Sequence, residues 1–96
     1  MENYPFLTEA VSHVIIRLRK QAGLSQQKLA ELSSIARVYL LQLEQGRFRP
    51  TLNSVYFMAK GLGIEPHKLV ELIEEERKEI EKIANKSAIS QSKSSD

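Results

Sequence analysis

The apolar residues of this chain recur at steps of three and four in short clusters, and each cluster but the last is closed by a glycine, a serine pair or a proline. That punctuation restricts the chain to a set of short helices. Val11, Val14, Ile15, Leu18 and Ala22 make the first cluster. Thr8 is its expected N-cap, Glu9 suits the first turn, and Gly23 ends the pattern. Ser25 is placed to cap a second helix with Leu29, Ala30 and Leu32 as its apolar positions, and "SSI" makes the turn after it. The third helix is "ARVYLLQLEQ", residues 36–45, with Gly46 just past its end. Pro50 and Thr51 open a fourth, carrying Leu52, Val55, Ala59 and Leu62 and closed by Gly63. Glu65 and Pro66 open the fifth, since proline suits the first helical position. Its apolar residues are Leu69, Leu72, Ile73, Ile80 and Ile83. No stretch alternates with period two between turn signals, so the expected class is all-α.

A chain of 96 residues holds one small domain with an extension. The expected division is a loose arm over 1–7, a helical domain over 8–70, a helical extension over 71–86 and a disordered tail over 87–96. The last residues of the chain, "NKSAISQSKSSD" from Asn85 on, are Ser-rich and have no periodic face. A domain of this size buries only about 60–65% of its unfolded surface, which makes a dimer a natural supplement. Without cysteine there are no disulfides and no thiolate metal sites. No run approaches the roughly 18 apolar residues of a membrane span. The start, "MENYPFLTEA", has neither the basic nor the apolar region of a secretory signal, so a cytoplasmic location is expected. Residues 1–70 carry nine Lys/Arg against five Asp/Glu, and residues 71–96 carry five against seven. A basic body with an acidic extension points the body towards a polyanion.

The third helix has more large apolar residues than one buried stripe needs. On a wheel of about 100° per residue, Ala36, Leu40 and Leu43 fall on one side, flanked by Tyr39 and Glu44. Arg37, Val38, Leu41, Gln42 and Gln45 fall on the other. A merely solvated face does not favour Val and Leu. A face that reads DNA does use such a mixture: Arg bonds guanine, Gln bonds adenine, and apolar groups touch thymine methyls.

Residues 11–70 resemble the Cro-type, phage-repressor helix-turn-helix (XRE-like) family of transcriptional regulators. The resemblance rests on Leu24-Ser25-Gln26 with Leu29-Ala30, on Leu40-x-x-Leu43-Glu44-x-Gly46-x-x-x-Pro50, and on Ala59-x-x-Leu62-Gly63-Ile64. It implies a compact five-helix, repressor-like domain whose third helix enters the major groove of double-stranded DNA. It implies base-reading roles for Arg37, Val38 and Gln42; Leu41, on the same outward flank, departs from the family's usual small polar residue and either joins the base contact or packs under a neighbouring helix or a partner subunit. Ser25 and Gln26 are implied to grip phosphate and brace the reading helix, Tyr39 to touch the backbone, and Arg47, Arg49 and Asn53 to add backbone contacts. Arg19 is implied to pair with Glu44 as architecture. Ala36 departs from the family's usual Ser or Thr cap; Ser34 is an alternative start. The stretch after residue 70 exceeds the family's minimal core.

Leu69, Ile73, Ile80 and Ile83 form one seam, interrupted by Glu76. Leu69, Leu72 and Ile73 are placed to seal the domain core. Ile80 and Ile83 have no obvious core to join, so Ile73, Ile80 and Ile83 are the expected edge of a homodimer interface. A two-fold dimer sets two reading helices about 34 Å apart on a near-palindromic site. An enzyme is not expected: His13 and His67 stand alone, there is no thiol, and "EEERKEIEK" reads as a solvated helix face with Glu-to-Lys support. No cofactor, metal or small-molecule ligand is expected. The rival reading is an antitoxin or other interaction module that binds a protein partner through the extension.

Overall fold

A computed structural model describes the backbone of residues 2–94 and the side chains of residues 2–87. Its order is α1 (Leu7–Gln21), α2 (Gln26–Leu32), α3 (Arg37–Glu44), α4 (Leu52–Leu62) and α5 (Pro66–Ser94), with no strand among the described residues. The periodic residues do become the core. Val14, Ile15, Leu29, Leu40, Leu43, Met58 and Leu69 are all essentially inaccessible to solvent. Helix α1 packs on α3 and α5, α2 packs on α3 and α4, and α4 packs on α5. The helices thus pack as a closed ring, α1 between α3 and α5, and α2 and α4 joining those two from the other side. None of the described helices is long and apolar enough to cross a membrane.

Local signals explain most of the boundaries. Ser25 and Thr51 each cap a helix, accepting from the Lys28 and Ser54 backbone N–H groups. The chain leaves α3 through Gly46 at φ 71°, a left-handed turn that a Cβ would strain. Helices α2 and α4 approach so closely that a Cβ on Gly61 would collide with the Ser33 hydroxyl. A side chain there would push the two helices apart.

Several expectations are corrected. Thr8 does not cap α1: the helix begins two residues earlier, at Leu7, after Phe6 in a left-handed conformation. Leu7 packs against the core and draws the start up-chain. Residues 2–6 are no free arm, because the Tyr4 ring lies 5.0 Å from the guanidinium carbon of Arg77. Leu32 and Leu52, apolar positions of α2 and α4, do not join the core: they are 41% and 69% exposed, each lying at an end of its helix. Ser34 is no alternative start for α3; it sits at φ 53° in the turn, and α3 begins after Ala36. The backbone stays helical through Ser94, where a disordered tail over 87–96 was expected, since no glycine or proline after Ile83 interrupts it. Residues 95 and 96 lie outside the described residues.

Candidate nucleic-acid interface

The outward flank of α3 is built by what its inward flank buries. Leu40 and Leu43 anchor the helix in the core, and Arg37 and Val38 therefore face solvent, Val38 at 63% exposure. Leu41 and Gln42 are half-buried, so both lie lower on that flank than the wheel alone suggests. Arg47, Arg49 and Asn53 follow on the exposed turn and the first turn of α4. The chain contains six arginines. Arg17, Arg19 and Arg77 are committed to carboxylates within the fold. Among the described residues, Arg37, Arg47 and Arg49 meet no carboxylate, and all three belong to this one stretch.

Beneath the flank, Glu44 is a hub. Arg19 grips it with two bonds, Nε to Oε2 at 2.7 Å and Nη2 to Oε1 at 3.0 Å. The third arm of the same guanidinium, Nη1, donates to the Leu24 carbonyl at 2.9 Å. Gln26 Nε2 adds a bond to Glu44 Oε1 at 3.0 Å, and the Ser12 hydroxyl donates to the Glu44 backbone carbonyl. The two side chains are only 12% and 5% exposed. Three elements are therefore locked at one carboxylate, and the negative charge is neutralised before it can repel phosphate. Gln26 is a brace here, with its remaining amide N–H and its carbonyl left over.

Tyr39 is corrected. Its ring is tilted against Phe48 at a centroid distance of 4.9 Å, and its hydroxyl is fully enclosed with no partner among the described residues. The aromatic partner Phe48, absent from the sequence argument, draws the ring away from the surface where a phosphate contact was expected. Ile73 and Ile80 are also corrected as interface residues. Ile73 is 6% exposed in the core, and Ile80 packs against that core half-buried. Helix α5 lies along α1, which supplies the core that the seam seemed to lack. Ile83 remains 59% exposed. That docking is fastened by Glu76, whose carboxylate lies 3.0 Å from His13 Nδ1 and 3.1 Å from Arg17 Nη1. The bond from His13 above all, joined by the bond and charge of Arg17, holds the Glu76 carboxyl below its ordinary range against the opposing effect of burial.

A family model described as helix-turn-helix matches residues 15–69. The chain is 39% identical over 54 residues to the HTH-type transcriptional regulator y4dJ of Sinorhizobium fredii, covering 56% of this chain and 70% of that one. It is 36% identical over 72 residues to the immunity repressor protein of Bacillus phage phi105, covering 72% of this chain and 50% of the repressor. Among solved structures it is similar to the wild-type restriction-modification controller protein C.Esp1396I, with a TM-score of 0.68 and 30% identity over 76% of this chain and 94% of that one. It is equally similar to that controller as a tetramer in complex with its natural 35 base-pair operator, with a TM-score of 0.69 and 30% identity over 76% of this chain and 96% of that one.

Proposed function

This chain belongs to the helix-turn-helix family of DNA-binding transcriptional regulators, and we propose that it acts as a dimer that sets α3 of each copy into the major groove of a near-palindromic site. The observation that carries this reading is the distribution of charge. Every arginine left without a carboxylate among the described residues lies between positions 37 and 49, on and just after the helix whose outward flank also bears Val38 and Gln42. Arg37 and Gln42 offer paired bonds to purine edges, and Val38 and Leu41 offer apolar contact to thymine methyls. Arg47, Arg49 and Asn53 neutralise or bond phosphates and so set register without reading sequence, as does Ser25 at the start of α2. The chain acts by binding alone, with no catalytic step. The controller protein, a tetramer in complex with its operator, supports an oligomeric assembly on DNA. Here Leu52 and Tyr56, one turn apart on α4 and 69% and 57% exposed, are the apolar pair on which such a dimer can be built.

Selection from random duplexes, read by sequencing, tests the reading and reports motif and half-site spacing together. Against the selected site, Arg37→Ala should cost about 1–3 kcal/mol and relax sequence choice, whereas Arg47→Ala should weaken all duplexes alike and reduce the salt slope by about 1. Equal loss on every sequence from Arg37→Ala removes base readout from that residue.

A further inference from the structure

Between the segment ahead of α1 and the turn that joins α3 to α4 lies an open cleft of about 250 Å³, lined by Asn3, Thr8, Gly46, Arg47, Phe48 and Arg49. Its charged walls are of one sign: Arg47 and Arg49 both line it, and neither meets a carboxylate among the described residues. The opposite wall is neutral and polar. The Asn3 amide makes no hydrogen bond among the described residues, and the Thr8 hydroxyl donates only to the neighbouring Glu9 at 2.8 Å. Gly46 keeps the floor free of a side chain. Guanidinium groups present their N–H donors as a fork that suits the oxygens of a phosphate; the Asn3 amide adds a donor, and the Thr8 hydroxyl adds another by turning its one proton from Glu9 to the anion.

The wall that carries Asn3 is held in place. The next residue, Tyr4, lays its ring over Arg77, which is 8% exposed and gripped by Glu74 and Glu81. The Tyr4 carbonyl accepts from the Leu7 N–H at 3.2 Å, which ties the segment to the start of α1. Asn3 is thus positioned through α5, although it lies far from α5 in the sequence.

We propose that this cleft grips a DNA backbone phosphate, with Arg47 and Arg49 supplying charge and with Asn3 and Thr8 as hydrogen-bond donors on the opposite wall. The proposal rests on the DNA-binding reading above, which already assigns the two arginines to the backbone. It adds the segment ahead of α1 to the interface and makes Tyr4 and Arg77 its support.

The test uses the full chain and a mixed-sequence duplex in fluorescence anisotropy over a salt series. Asn3→Ala and Thr8→Ala should each weaken duplex binding by about three- to tenfold, as expected for losing a hydrogen bond of ordinary net strength at an exposed site. Because both residues are neutral, the salt slope should stay unchanged, and the loss should be the same on every sequence. Tyr4→Ala should reproduce the Asn3→Ala loss while circular dichroism reports an intact helical fold. NMR of the labelled protein supplies the second arm: the Asn3 side-chain amide should shift on adding the duplex. Affinities within twofold of the parent for all three variants, with Arg37→Ala still relaxing sequence choice, overturn the cleft assignment and leave the DNA reading standing. Shifts at Asn3 with inorganic phosphate alone, and none with the duplex, also overturn it by showing a site for free anions. A parent chain that binds no duplex removes both readings.

Discussion

Ala36 holds the N-cap position of α3 with φ −68° and ψ 140°, nearly the backbone of the two capping residues Ser25 and Thr51, but without an oxygen to accept an N–H. Ala36→Ser should therefore stabilise the protein by about 1 kcal/mol, read as a rise in the urea midpoint at constant slope. Tyr39 presents the opposite case, a polar atom too many. A buried, unpartnered hydroxyl costs about 1–3 kcal/mol of desolvation. Tyr39→Phe should leave stability equal or raise it by up to about 1 kcal/mol, and should leave duplex affinity within about twofold. A clear loss of affinity in that variant would show that the ring leaves Phe48 to bond DNA. Glu44 and Arg19 show why a charge beside the interface is tolerable. Both are almost out of solvent and fully bonded, so Arg19→Ala should cost about 3–5 kcal/mol by stranding the carboxylate. Thermal or chemical denaturation measures that cost directly.

At the scale of elements, the docking of α5 on α1 combines apolar packing with one polar fastening. Leu69 and Ile73 are buried with Val11, Val14 and Ile15, and Ile80 extends the same contact. Glu76 interrupts the apolar seam because its position meets His13 and Arg17. Its carboxyl is held below the ordinary 4.5, so its contribution is present above that pH and is lost as pH falls through the lowered value. Glu76→Gln should be less stable than the parent at neutral pH by under about 1 kcal/mol, since His13 and Arg17 are substantially exposed. The difference should shrink as pH falls through that lowered value and vanish where the parent carboxyl is protonated too. Urea titrations of both proteins across that range check the sign.

For the whole molecule, the apolar surface left over after folding decides the assembly. The seam of α5 is largely used within the chain, and Leu52 and Tyr56 on α4 are not. The double variant Leu52→Glu and Tyr56→Glu should be monomeric by sedimentation, with helix content unchanged. Its affinity for a palindromic site should fall towards that of a single half-site. A variant that stays dimeric moves the interface elsewhere, with exposed Ile83 and Val70 as the next surfaces to alter.

The number of helices, their order, the cap at Ser25, the opening of α4 at Pro50 and Thr51 and the burial of Leu40 and Leu43 were legible from sequence. These depend on short-range periodicity and on backbone chemistry that neighbouring residues decide. The reading of Arg37 and Val38 as an outward pair follows from the same periodicity, because a buried flank defines its opposite. What tertiary packing alone decided are the facts that join residues far apart in the chain. Phe48 captures Tyr39, α1 gives Ile73 and Ile80 a core, Arg77 pins Tyr4, and Asn3 comes to face Arg47. No local pattern encodes these meetings, since each depends on where two helices cross, and that is set by the fit of the whole core.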